Sequence, residues 1–274
     1  MKIHLLNTGF CAADERHLLR GAAHRPTTAA AICMLIEHPT RGLVLFDTGY
    51  APHVLEAFKS FPFSLYGRLT PVTALAEWSA AAQLERLGFR ACDVCYVIAS
   101  HLHADHIGGL RDFPAAQIVV TESALNVSRL RGWRALRHAF MPDLLPTDFE
   151  ARALVLEHFT DAPLGPFGRA HDLFGDGTLR LVKLPGHARG QIGAYLSAEN
   201  VLLVADGAWS MRAIRDNHPP DALPLHIAFD NVQQTLETLT NLHRFHLEHP
   251  EVRLLPTHCP QLAALVKSGE AVTL

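Results

Sequence analysis

The chain has 274 residues, 49% apolar and 19% charged, enough to bury a sizeable core. Its net charge of −3 gives no electrostatic case for nucleic acid or an anionic membrane surface as partner. No stretch approaches the roughly 18–20 apolar residues of a membrane span, and residues 1–9 lack a signal-peptide core, so cytoplasmic residence is expected. Cys11, Cys33, Cys92, Cys95 and Cys259 form an odd, scattered set without a disulfide framework. The lone Cys92-x-x-Cys95 pair reads as buried free thiols.

Taken in order, residues 2–6 and 31–36 predict strands, and Leu43–Phe46 a third that ends in Asp47-Thr48-Gly49. Asp47 reads as a carboxylate that fixes the following loop. Residues 58–72, rich in aromatics, read as a loop rather than a regular element, either a flap on the core or an apolar pocket wall. Leu75, Trp78, Ala82, Leu84 and Leu87 recur at helical spacing and predict a helix over 74–87, stopped by Gly88. The apolar run 94–99 predicts a buried strand, and Ile118–Val120 another. Residues 122–150 read as helical, with Leu125, Val127, Leu130, Trp133, Leu136 and Phe140 among interleaved arginines. Within them, about 125–150 is expected to be an insertion covering a pocket.

The second half is again rich in strands. Asp172–Phe174 and Leu179–Leu184 flank a Gly175-Asp176-Gly177 turn, and 191–196 and 201–205 form another pair. An amphipathic helix is expected over 231–247 and a last strand over 252–255. No linker or charge run divides the chain, which reads as one domain, 1–274, made of two similar halves.

The apolar run 94–99 feeds Ser100-His101-Leu102-His103-Ala104-Asp105-His106-Ile107-Gly108-Gly109. The chain holds 18 histidines, so a single one means little. Four ligand-type side chains packed this closely are different, because clustered imidazoles repel one another as they protonate. Imidazole and carboxylate are ligands for zinc, iron, manganese or cobalt. Three later strand ends carry the same residue types: His187 after Leu184-Pro185-Gly186, Asp206 after Val204-Ala205, and His258 after Pro256-Thr257. Five histidines and two aspartates exceed one tetrahedral centre and suit two metals sharing a bridging carboxylate. His218 and His226 are weaker candidates for a pocket lining.

The run His101-Leu102-His103-Ala104-Asp105-His106, followed by His187, Asp206 and His258, resembles the metallo-β-lactamase superfamily. That resemblance implies an α/β fold, a four-layer αββα sandwich. It also implies that His101, His103 and His187 hold one divalent metal ion, that Asp105, His106 and His258 hold another, and that Asp206 bridges them. Within the superfamily the chain is most similar to the N-acyl homoserine lactone lactonases, through segments such as Leu69-Thr70-Pro71, His106-Ile107-Gly108-Gly109-Leu110 and Pro185-Gly186-His187. Those lactonases carry a tyrosine three residues after the bridging aspartate, where this chain has Trp209.

The implied activity is a quorum-quenching hydrolase that attacks a lactone or ester with hydroxide held by two metals, zinc foremost. Asp105, Asp206 and Trp209 are its catalytic candidates. The expected partner is a small-molecule substrate with an apolar tail, and a homodimer is open. Two other readings stand beside it: a hydrolase of thioesters or phosphodiesters, and a low-turnover metal-binding sensor.

Overall fold

The computed structural model describes residues 1–18, 20–221 and 229–274. Alternation along its strands decides the architecture. In β2 (Pro26–His38), Ala30, Ile32, Met34 and Ile36 enter one core while Ala31, Cys33 and Leu35 enter another on the opposite face. β3 (Gly42–Phe46) divides Val44 and Phe46 from Leu43 and Leu45 in the same way. β11 (Val201–Ala205) sends Val201 and Leu203 to one side, Leu202 and Val204 to the other. Side chains alternate between faces with period two, so strands apolar at every position must be covered on both sides. Four layers result: helices, a sheet, a second sheet, helices.

Among the described residues, the first sheet has eight strands. Along it run β13 (Ala271–Thr273), β1 (Lys2–Asp14), β2, β3, β5 (Val94–Ile98), β6 (Gln117–Thr121) and β7 (Ala153–Leu156), with β4 (Val72–Thr73) also on β1. Pairing is antiparallel from β13 to β3 and parallel from β3 to β7. The second sheet runs β12 (Arg253–Pro256), β11, β10 (Ile192–Leu196), β9 (Leu179–Lys183), β8 (His171–Asp172), antiparallel except for β11 with β12. Ile3, Leu5, Phe46, Ile98 and Val119 from one sheet meet Leu181, Ile192, Ala194 and Leu203 from the other in the middle core.

β1 and β2 run well past the short strands expected from their apolar centres, to 13 residues each. Their register shifts between Asn7 and Phe10. Gly9 sits in that bulge at φ 139°, where a Cβ would lie 2.3 Å from the Thr73 carbonyl oxygen, so only glycine lets β4 approach.

Three expectations about helices need correction. Residues 58–72 are not all loop, since Phe63–Leu69 is helical and Gly67 lets its backbone close on Phe58, whose ring a Cβ would meet at 2.7 Å. The 74–87 segment is a short 3₁₀ turn at Ala76–Trp78 and then a helix only from Ala80 to Arg86. Ser79, extended at ψ 153°, accepts from the Ala82 N–H and starts that helix, so the apolar recurrence extended across a cap. Residues 122–150 break into helices Glu122–Ser128, Gly132–Leu136 and one beginning at Phe149, with Gly132 at φ 55° and Pro142 and Pro146 dividing them. Among the described residues, no helix is long and apolar enough to cross a membrane.

Candidate metal centre

The C-terminal ends of β3, β5, β9, β11 and β12 open on the same edge of the sandwich and deliver Asp47, residues 100–106, His187, Asp206 and His258 to it. That edge is where α/β sheets place their sites. After β5 the chain runs to His103, which is extended, and then makes one helical turn, Ala104–Ile107, which carries Asp105 and His106 while leaving the His106 ring 3.9 Å from that of His101. Gly108 makes the exit possible: a Cβ there would stand 2.7 Å from both the Ala104 and Gly49 carbonyl oxygens. Ala205 lies at φ 47°, the left-handed region that side chains disfavour, directly before Asp206.

The predicted side chains form two adjoining groups. His101, His103 and His187 make one, and Asp105, His106, Asp206 and His258 the other, each with its donor atoms within 4.8 Å of one another. His103 Nδ1 is 3.0 Å from His187 Nε2. Asp105 Oδ2 is 3.2 Å from His258 Nε2 and 3.6 Å from His106 Nε2. Asp206 reaches both groups, with Oδ2 3.1 Å from His187 Nε2 and 3.2 Å from His258 Nε2, and Oδ1 3.4 Å from His106 Nε2. His218 is exposed on the surface after the Met211–Asp216 helix, and His226 lies outside the described residues.

Outer hydrogen bonds set which nitrogen His101, His106 and His258 present. The Ser100 hydroxyl donates to Asp47 Oδ2 at 2.8 Å and faces His101 Nδ1 at 3.0 Å, while the Ser100 N–H donates to Asp47 Oδ1 at 2.8 Å. His106 Nδ1 donates to Asp47 Oδ2 at 2.7 Å, and His258 Nδ1 to the Ala30 carbonyl at 2.7 Å. Each bond holds the proton on Nδ1 and turns Nε2 toward the centre. Ser100 and the Ala30 carbonyl escaped the sequence reading because a hydroxyl and a main-chain oxygen carry no ligand signature.

The centre fits cations. His101 Nε2, His106 Nε2 and Asp206 Oδ1 are buried with no hydrogen-bond partner among the described residues. Leaving such groups unmatched costs about 1–3 kcal/mol each, and cations bound at the two groups would satisfy all three. Tetrahedral zinc, with Zn–N bonds of about 2.0–2.1 Å, needs nitrogens about 3.4 Å apart, close to the separations found here.

Electrostatically the two groups differ. Burial, with the His106 and His103 imidazoles, holds His101 well below its ordinary pKa. Burial and His187 bring His103 down to about 3. In the second group, burial would lower His106, but Asp105, Asp47 and Asp206 outweigh it and raise it to about 10. His258 is likewise raised, Asp206 and Asp105 overcoming burial. Asp105 is held low by His106 and His258, and Asp206 by His258, His106 and His187, in each case against burial. His101 and His103 are therefore neutral donors, while the other group is a network of ion pairs.

A family model of the metallo-beta-lactamase superfamily matches residues 29–244. The chain belongs to the metallo-beta-lactamase superfamily. It is 31% identical over 207 residues to a probable metallo-hydrolase of Mycobacterium tuberculosis, covering 72% of this chain and 59% of that protein. This chain thus spans about three-fifths of that mycobacterial relative's length. It is also 31% identical over 218 residues to the N-acyl homoserine lactonase AttM of Azorhizobium caulinodans, covering 75% of each.

Among solved structures, an N-acyl homoserine lactone hydrolase with the product N-hexanoyl-L-homoserine at its catalytic metal centre superposes with a TM-score of 0.75 at 19% identity, covering 99% of this chain and 98% of that one. The dizinc quorum-quenching lactonase AidC gives 0.64 at 15% identity, covering 94% and 87%. These two establish the metallo-beta-lactamase fold.

Proposed function

We propose that this chain is a metal-dependent hydrolase of lactones or esters, with acyl homoserine lactones as the substrate class. The observation that carries the reading is Asp206, one carboxylate in contact with both donor groups. His101, His103 and His187 would hold one divalent cation, and Asp105, His106 and His258 the other, with zinc the ion that this nitrogen-rich set favours. Bound there, two cations supply an acidified water as nucleophile and Lewis-acid polarisation of a carbonyl.

The protein's own part is orientation and proton handling. Asp47 and Ser100 lock the imidazoles of the 101–106 loop, so the donors need not reorganise during reaction. The Asp105 side chain is 13% exposed against 3% for Asp206; ionised beside His106 and His258, it would take a proton from the attacking water and return it to the departing alkoxide.

An apolar tail would be met by the aromatic side chains of segments 58–72 and 125–150. Phe58 packs 5.9 Å from Tyr66, and beyond it the exposed Phe61 meets Trp133 edge-on at 5.3 Å. Segments 58–72 and 125–150 thus meet through Phe61 and Trp133, which supports the second as a cover for the pocket. The five cysteines are free, with Cys92 and Cys95 exposed rather than buried as expected, and free thiols suit a reducing, cytoplasmic setting.

The test is an assay of purified protein on short and long acyl lactones, aryl esters, thioesters and phosphodiesters, with metal content measured alongside. Turnover of the lactones, lost in His103→Ala and His258→Ala, supports the proposal. Full metal occupancy without turnover of any class would make the chain a metal-holding sensor instead.

A further inference from the structure

Trp209 stands three residues beyond Asp206, past the Gly207-Ala208 turn, and is half-buried. Its Nε1–H donates to Asp206 Oδ2 at 3.0 Å. The ring is held in place from several sides: Phe229 lies 5.0 Å away, His187 6.0 Å and His258 6.3 Å between centroids. Phe229 also packs edge-on against His187 at 4.7 Å. The next residue, Ser210, caps the Met211–Asp216 helix by accepting from the Ala213 N–H at 3.1 Å, which anchors the backbone beside the indole.

An indole has one donor and no acceptor. With that N–H committed to Asp206, none is left for a substrate carbonyl. The oxygen it meets is the one shared by His187 and His258, while the other carboxylate oxygen faces His106. Rotation of the Asp206 carboxylate would break contact with one group or the other. Resting on the dinuclear reading above, we infer that Trp209 is a positioning residue, whose N–H fixes the carboxylate plane of Asp206 so that it spans both donor groups. Being neutral at every working pH, the indole can do this without competing for a proton or a cation.

The experiment uses the full chain loaded with zinc. The sequence contains three tryptophans, so ¹⁵N-labelled protein gives three indole signals, and Trp209→Phe identifies the one from Trp209. That signal is expected to exchange slowly with solvent. Zinc affinity, measured by competition with a chromogenic chelator, should fall about 10–100-fold in Trp209→Phe, as it does when an outer hydrogen bond to a ligand is removed. KM for a lactone should change little while kcat drops.

A Trp209→Tyr protein, with ring and hydroxyl retained, is measured in the same way should the phenylalanine variant not fold, and should keep more of the affinity. The inference is overturned if the Trp209 indole exchanges freely in the zinc-loaded protein. It is equally overturned if the variant keeps wild-type zinc affinity and only KM rises, which would mark a substrate-facing donor. Wild-type protein that takes up no zinc would instead remove the dinuclear reading, and this inference with it.

Discussion

Asp47 concentrates the residue-scale chemistry in one buried carboxylate. It sits at φ 62°, accepts from the Ser100 N–H and hydroxyl and from His106, and burial pushes its own pKa up against those partners. Asparagine tolerates the same left-handed backbone. Asp47→Asn should therefore preserve the loop while removing the charge that orients His106. Zinc affinity is expected to fall about 10–100-fold, read by chelator competition, with the circular dichroism spectrum unchanged.

The contrast between the donor groups gives a second prediction at this scale. His106, raised to about 10, and His258, raised as well, must each give up a proton to bind a cation, whereas His101 and His103, both lowered, are neutral donors already. Protons compete with the cation at the second group throughout the range below about pH 10. Acidification through neutrality should thus release the ion at Asp105, His106 and His258 first, and metal content against pH should fall in two steps. A single step, with both ions leaving together, would contradict this. The donors themselves were legible in the sequence because residue type and strand-end position coincide; the bond from His258 to the Ala30 carbonyl was not, since its partner is backbone 228 residues away.

At the scale of elements, the loop after β9 depends on a glycine. Gly186 lies at φ 123°, and a Cβ there would meet the Thr235 nitrogen at 2.2 Å, where the Val232–Glu248 helix begins. The same junction is tied by the Asn231 N–H to the Gly186 carbonyl at 2.9 Å and the Asp230 N–H to the His187 carbonyl at 3.0 Å. Gly186→Ala should lower stability by about 1–3 kcal/mol through a strained backbone and displace His187. Urea denaturation with a zinc-binding assay would detect both, and wild-type values for the two would refute the account. Strand positions were readable from short apolar runs, because a strand covered on both faces is apolar at successive positions. Helix limits in 58–87 and 122–150 were not, because an apolar recurrence runs on through Ser79, Gly132 and Pro142, where the backbone conformation changes.

At the scale of the whole molecule, the four-layer arrangement was implied by the resemblance that the 101–106 run and the later His187, Asp206 and His258 carry, yet the unequal sheets, of eight and five strands among the described residues, were not. The return of residues 271–273 to pair with β1 depends on contacts across nearly the whole chain, which local patterning does not encode. Cations that bind only the folded state should stabilise it as a unit, by about 2.7 kcal/mol when free metal is about 100 times Kd. For a chain of this size that corresponds to a rise in melting temperature of roughly 5 °C or more between chelated and zinc-loaded protein. An unchanged melting temperature would count against the centre.

Both donor groups take side chains from each of the two sheets: His101 and His103 with His187, and Asp105 and His106 with Asp206 and His258. A nick in the connection 157–170 would leave two pieces, neither owning a complete coordination sphere. Zinc added to the mixed pieces should then act as a rivet, and reconstitution from fragments would depend on ion dose as much as on peptide concentration.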